Sequence, residues 1–318
     1  LPTDFQMNHN VNAEAPGKLK AWVSAFRLRT LPLALSSIFM GGFLAATQLA
    51  FDPVVLGLCI LTTLFLQILS NLANDYGDSV HGADHAERKG PKRAVQAGLI
   101  SAKEMKTGIV VFSLLSLVSG LGLLWFSFGS EGIYLFLLFL ALGLAAIWAA
   151  ITYTNGPKPY GYAGLGDISV FLFFGLVGVL GTVYLQSQEF SLSHILPAAA
   201  CGFFATGVLN VNNIRDIVSD KLAGKNSVPV RLGTKNARIY HWFLLIAGMA
   251  CAVGFVFWRF FGPWQFLFVL SFPFFIYNGV QVSKKQQPAE LDPYLKQLSL
   301  STLLFVFLFG IGLALSLL

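Results

Sequence analysis

Nine apolar runs divide this chain, and each is long enough to cross a lipid bilayer. They lie near residues 31–50, 54–73, 108–127, 133–152, 165–186, 194–213, 238–258, 263–281 and 298–317. A bilayer core asks for roughly 20 apolar residues per helix. The expected fold is therefore all-α, a polytopic membrane bundle of nine transmembrane helices. Composition agrees, with 55 % of the 318 residues hydrophobic and 11 % charged, against about 25 % charged in a soluble domain.

Charge then orients the bundle. With the N-terminus cytoplasmic, 20 of the 21 Lys and Arg residues fall on the cytoplasmic side and Arg259 alone falls outside. Cytoplasmic loops of membrane proteins carry such an excess, so the formal charge of +6 reads as topology, and no nucleic-acid partner is expected. Residues 1–17 are polar, lack the apolar core of a signal peptide, and are expected to be a disordered tail. Met7 is the expected native start, with Leu1 to Gln6 added for expression. Residues 18–318 are then one transmembrane domain in a cytoplasmic membrane, a bacterial inner membrane being the plainest case. Cys59, Cys201 and Cys251 sit apart inside apolar runs and read as small core residues.

The chemistry concentrates where the second run ends, in Asn71-Leu-Ala-Asn-Asp-Tyr-Gly-Asp78. At helical spacing Asn71, Asp75 and Asp78 share one face, with Asn74 and Asp78 paired beside them. Carboxylates closing an apolar helix repel each other unless a cation lies between them, which marks a site for a hard divalent metal. The sixth run ends similarly, with Asn212, Asp216 and Asp220 at i, i+4 and i+8. A shift of 139 residues lays Asn71 on Asn210 and Asn74 on Asn213. That parallel suggests a weak four-helix repeat with two acidic clusters facing each other.

Cations follow each cluster. Arg88, Lys89, Lys92, Arg93, Lys103 and Lys106 come after the first, and Lys221, Lys225, Arg231, Lys235 and Arg238 after the second. They serve either as topology anchors or as a polyanion site, and the same alternatives hold for Arg27 and Arg29 ahead of the first span. The tyrosines of the Thr152–Tyr162 loop are either interfacial belt residues or, with Lys158, contacts to a phosphate or planar ring. Asp167 opens the fifth span, where an ionisable group points to function. Magnesium binds through a few carboxylates plus phosphate oxygens and waters, so two acidic ends flanked by cations suit a metal-bridged diphosphate. Stabilising a departing diphosphate leaves a carbocation that needs a dry, aromatic pocket. The residues by themselves thus point to allylic diphosphate chemistry on a lipid-like substrate.

Asn74-Asp75-x-x-Asp78 and Asp216-x-x-x-Asp220 resemble the two aspartate motifs of the UbiA superfamily of intramembrane prenyltransferases. Nine spans with both motifs cytoplasmic extend the resemblance over nearly the whole chain after residue 20. The first octapeptide, Gly90-Pro-Lys-Arg93, Tyr160-Gly-Tyr162 with Gly164-Leu-Gly-Asp167, and Asn210-Val-Asn-Asn-Ile-Arg-Asp216 are similar to the branch that prenylates 1,4-dihydroxy-2-naphthoate in menaquinone synthesis. Many members carry a third aspartate where this chain has Gly82, and Asp84 stands two positions on. The resemblance implies Mg²⁺, expected as two ions, held by Asn71, Asp75, Asp78, Asp216 and Asp220 on a polyprenyl diphosphate. It also implies transfer to the naphthoate carbon that bears the carboxylate, with loss of CO₂. By the same analogy Lys92, Arg93, Lys225 and Arg231 are diphosphate cations, and Arg27, Lys158, Tyr153 and Asp167 belong to the acceptor side. Asn74, Asp84, Asn213 and Arg215 complete the expected substrate-binding set, with membrane lipids as surroundings.

The alternative within the superfamily is a sibling enzyme with another aromatic acceptor. Phosphatidyltransferases would show D-G-x-x-A-R, which does not occur here. An ion-coupled transporter would place carboxylates near the bilayer midplane, and no Asp or Glu interrupts a span centre.

Overall fold

A computed structural model of the chain describes residues 17–81 and 93–318. The expected tail, the Gly90-Pro91 turn, Asp84 and Lys92 lie outside the described residues. The helices are α1 (Lys18–Ala25), α2 (Leu31–Ala46), α3 (Pro53–Val80), α4 (Ala102–Phe128), α5 (Ile133–Thr152), α6 (Gly166–Val170), α7 (Gly178–Ser187), α8 (Ile195–Arg215), α9 (Ile217–Leu222), α10 (Val228–Trp258), α11 (Phe272–Lys284) and α12 (Asp292–Leu317). Among the described residues these form nine spans long and apolar enough to cross a membrane, as the apolar runs require.

Several helices begin ahead of their apolar runs, and at α4 and α3 a side-chain cap marks the start. At α4 the Ser101 hydroxyl accepts from Glu104 N while Glu104 reaches back to Ser101 N, a reciprocal cap that draws charged residues into the first turn. At α3, Asp52 accepts from Val54 N at 2.7 Å with Pro53 at the first helical position, where proline's missing N–H costs nothing. α10 starts at Val228 and breaks at Gly233, whose φ of +74° suits glycine best. The fifth span contains a π-helical stretch, Phe171–Val177, where Gly175 packs so close to α8 that a Cβ would lie 2.8 Å from Gly202 Cα.

The span holding α8 is the most deeply buried and the one holding α5 the least. Around α8, Phe204 stacks on Phe275 at 4.1 Å between ring centroids and meets Phe305 edge-on, forming the main core with Phe268 and Phe309. Polar links join the helix ends nearest Asp78. Thr154 Oγ1 and Asn155 Nδ2 donate to the Ala73 carbonyl of α3, and Asn226 N donates to Tyr162 O. Asp292 of α12 accepts from Arg29 and from Arg215 at the end of α8. The turn after α5 seats on α3 only because residue 77 is glycine; a Cβ there would sit 2.6 Å from the Thr154 carbonyl oxygen.

Gly77→Val is therefore expected to push that turn off α3 and to cost about 1–3 kcal/mol of stability, the usual price of overpacking. Thermal unfolding in detergent measures it, and an unchanged melting temperature would mean that the seat is not tight.

Candidate functional site

A cavity of about 910 Å³ runs between α2, α3, α4, α5 and the fifth span. Most of its wall is apolar, with Leu117, Phe139, Ile147, Phe173 and Leu180 among the lining residues. Its polar wall is supplied by Arg27, Asn71, Asn74, Asp78, Arg93 and Lys225, together with Tyr153 and Asn213.

Asp78, at the last turn of α3, is 2 % exposed. Its Oδ1 accepts from Tyr162 Oη at 2.8 Å, and its Oδ2 pairs with Arg93. Lys225 and Arg27 also lie near enough to act on it electrostatically. Asp220, on α9, accepts from Ser227 Oγ at 3.3 Å and stands 3.6 Å from Lys225 Nζ. That ammonium, 8 % exposed, also lies 5.8 Å from the centre of the Tyr162 ring. Burial works to lower the Lys225 pKa, but the carboxylates of Asp220 and Asp78 outweigh it and hold the ammonium above its ordinary value. Burial pushes the Asp220 carboxyl up, Lys225 pulls it down, and the Asp216 and Asp78 carboxylates add to the rise. The two acid-bearing helix ends thus meet around one lysine.

The remaining carboxylates have other neighbours. Asp75 accepts from Ala94 N at 3.1 Å and Val95 N at 3.3 Å, fixing the chain just after Arg93, and it is not among the cavity-lining residues. Asp216 takes two hydrogen bonds from Arg215, at 2.9 and 2.7 Å. Arg215 further donates to Asn212 Oδ1 and Asp292 Oδ1, so this buried guanidinium binds the end of α8 to the start of α12 and stays off the cavity wall. Asn71 Nδ2 donates to Phe26 O at 2.9 Å and Thr30 Oγ1 at 3.2 Å. It thereby clamps an elbow whose Arg27 has a left-handed φ of 50° and lines the cavity. Asn210, its partner in the proposed repeat, likewise donates to a backbone carbonyl, that of Ala237 at 3.1 Å.

Lys158 and Arg231 are exposed and absent from the cavity wall. Arg231 donates to Ala163 O instead, tying the loop after α5 to α10. Asp167 is buried behind the wall, with the Tyr240 hydroxyl beside its carboxyl. Tyr153 is on the wall; burial pushes its phenol up to about 12, against the pull of Lys225. Sequence reasoning missed Tyr162 as a partner of Asp78 and Lys296 on the wall, whereas Asn212, read as part of the second acidic face, does line it. The Tyr160-Gly-Tyr162 string was the available signal, since a tyrosine between glycines in a proline-rich loop can turn its hydroxyl inward.

Among the described residues no three His, Cys, Asp or Glu side chains gather into a closed metal cage. The nearby donors are nonetheless hard oxygens: on the wall, the Asp78 carboxylate and Asn213 Oδ1, which is buried without a hydrogen-bond partner, and just off it, behind Lys225, the Asp220 carboxylate. An open set of this kind suits Mg²⁺, which takes few protein ligands and completes its shell with phosphate and water.

The sequence pattern of the UbiA prenyltransferase family matches residues 34–303. A 1,4-dihydroxy-2-naphthoate octaprenyltransferase of Haemophilus influenzae is 48 % identical over 298 residues, covering 93 % of this chain and 96 % of the relative. The Escherichia coli protein of the same name is 44 % identical over 94 % and 96 %. Among solved structures, a UbiA homologue from Aeropyrum pernix superposes with a TM-score of 0.64 at 19 % identity, over 92 % of this chain and 99 % of that one. A UbiA homologue from Archaeoglobus fulgidus bound to GPP and Mg²⁺ gives 0.57 at 15 %, over 91 % and 99 %.

Lys225→Ala would leave the buried Asp220 carboxylate without its ammonium and remove a nearby positive charge from Asp78. Breaking such a pair typically costs about 3–5 kcal/mol, so a clear fall in melting temperature is expected, smaller for Lys225→Arg. Equal melting of wild type and Lys225→Ala would show that Lys225 does not bridge the two helix ends.

Proposed function

The chain belongs to the UbiA prenyltransferase family, and within it we propose transfer of a polyprenyl group from polyprenyl diphosphate to 1,4-dihydroxy-2-naphthoate in menaquinone synthesis. The observation that carries this reading is the meeting of Asp78 and Asp220 around Lys225 beside a long apolar cavity. Near-full-length identity to two proteins named for that reaction supports the choice of acceptor.

Asp78, Asp220 and Asn213 would hold Mg²⁺, with Asp216 and Asp75 behind them. Bound there with the diphosphate, in two ions on our reading, the metal supplies positive charge against the leaving group. Arg93, Lys225 and Arg27 take the diphosphate oxygens, exchanging carboxylate partners for phosphate. The apolar wall receives the prenyl chain and keeps water from the allylic carbon as its bond to oxygen breaks. Tyr153 stands where an aromatic acceptor reaches that carbon from the polar side. The naphthoate carbon bearing the carboxylate attacks, and CO₂ leaves. With 20 of 21 cations on one side of the assigned topology, the N-terminus and the polar end face the cytoplasm. The enzyme then resides in a bacterial inner membrane.

Membranes containing the protein should form demethylmenaquinol, identified by mass as the quinol or as the quinone that air oxidation makes of it, from dihydroxynaphthoate and a polyprenyl diphosphate, and should stop when Mg²⁺ is chelated. Product that is unaffected by chelation, or no product at all, would overturn the proposal. Asp78→Asn and Asp220→Asn should each lower turnover on the order of 100-fold or more, the scale of losing one preorganised electrostatic contact to the transition state. Full activity in either variant would move the diphosphate site elsewhere.

A further inference from the structure

The geometry points to Asp167, acting through the Tyr153 hydroxyl, as the store for the acceptor's hydroxyl proton during prenyl transfer. This rests on the reaction proposed above and names a group for a proton that the reading leaves unplaced.

Asp167 sits in the first turn of α6 and is 7 % exposed. Its Oδ2 is buried without any hydrogen-bond partner. No Lys or Arg among the described residues pairs with it. The groups near it are the Tyr240 hydroxyl from α10, beside the carboxyl, Thr206 Oγ1 from α8, which donates to the Asp167 backbone carbonyl at 3.4 Å, and the Tyr153 phenol at the end of α5, near enough to act on the carboxyl electrostatically. A buried carboxylate with a vacant oxygen and no cation is expensive to keep charged and ready to take a proton. Among the described residues, the other carboxylates of the two acidic helix ends are all occupied: Asp75 by backbone amides, Asp78 by Arg93 and Tyr162, Asp216 by Arg215, Asp220 by Lys225 and Ser227.

Tyr153 connects this store to the cavity. Of the three loop tyrosines, Tyr162 gives its hydroxyl to Asp78, and Tyr160 bonds the Ala149 carbonyl and Ser169 Oγ. The Tyr153 hydroxyl makes no hydrogen bond with a described residue, and Tyr153 is on the cavity wall. Its hydroxyl lies against the start of α6, where a Cβ on Gly166 would be 2.7 Å from Tyr153 Oη. Glycine at 166 is therefore what lets the phenol reach the turn that carries Asp167.

The proton balance closes. As the ring carbon bonds to the allylic carbon, the C–O bond to diphosphate breaks and its electrons leave on the diphosphate. The acceptor hydroxyl next to the carboxylate passes its proton to Tyr153 Oη while the Tyr153 proton passes to Asp167 Oδ2. The freed electron pair becomes the carbonyl of a β-keto carboxylate. Loss of CO₂ from that species returns an electron pair to the ring as an enolate, and the same proton comes back from Asp167 through Tyr153. The carboxylate is regenerated in each turnover, and no outside base is consumed.

The test uses the full-length protein with dihydroxynaphthoate and a polyprenyl diphosphate. Asp167→Asn should lower kcat by about 100- to 10,000-fold, the usual range for general acid–base catalysis, with the donor KM and the melting temperature unchanged. Tyr153→Phe should behave alike, the double variant should be no worse than either single one, and Asp167→Glu should recover part of the rate. The residual kcat of Asp167→Asn should climb with pH as the acceptor hydroxyl ionises unaided, over a range where wild type is flat; a purely structural role would not give that profile. If wild type forms product but Asp167→Asn stays within threefold of it with the same pH profile, Asp167 is not the store. If wild type itself forms no product from the naphthoate, the proposed reaction fails, and this assignment with it.

Discussion

Two carboxylates buried on different helices cannot be left to face each other unneutralised. Asp220 on α9 meets this constraint by pairing with Lys225, and Asp78 at the end of α3 by pairing with Arg93 and Tyr162, with Lys225 near enough to act on it electrostatically. Each member is held in place by its surroundings. Asp75 fixes the amides that follow Arg93, Asn226 N binds the Tyr162 carbonyl, and Arg231 binds the same loop. Burial strengthens these contacts because the local dielectric is low. It also makes them exchangeable, since a diphosphate with its metal can satisfy the same carboxylates and the same cations.

The cavity wall shows a division of labour imposed by the membrane. An apolar chain loses nothing by lying along α4 and α5, whereas every charge must be gathered at one end. Arg27 reaches that end only because residues 26–30 turn sharply and Arg27 takes a left-handed backbone, a conformation costing roughly 1–2 kcal/mol for a residue with a Cβ. Asn71 supports the turn by binding Phe26 O and Thr30 Oγ1. Asn210, its counterpart at a shift of 139 residues, does comparable work on Ala237, so the two helix ends resemble each other in how they are braced as well as in their acids.

The all-helical fold was legible because long apolar runs admit little else in a bilayer. Helix starts were less so, since α4, α10 and α12 begin ahead of their apolar runs and only α4 carries a side-chain cap there. Nothing in the residues 171–177 announces a π-helical stretch. At the site, spacing put Asn71, Asp75 and Asp78 on one helix face, but it could not say what fills the space opposite each. Asn71 meets the elbow, Asp75 meets backbone amides, and Asp78 meets Arg93 and Tyr162. Asp216 and Arg215 are adjacent in sequence, and on a helix such neighbours diverge. They pair because α8 ends at Arg215 and Asp216 leaves helical geometry at φ −98°, ψ 11°. Tyr162 escaped notice for a similar reason, as its contact with Asp78 depends on how a loop 84 residues away folds back.

The central claim is that Asp78 and Asp220 form the two sides of one metal–diphosphate site. The most direct measurement is an experimental structure with a non-ionising prenyl diphosphate analogue and Mn²⁺ in place of Mg²⁺, with the metal located by its anomalous scattering. The expected result is metal between the carboxylates of Asp78 and Asp220, diphosphate against Arg93 and Lys225, and the prenyl chain along the apolar cavity. Metal or diphosphate bound away from both aspartates, with Lys225 still joining them, would contradict the account.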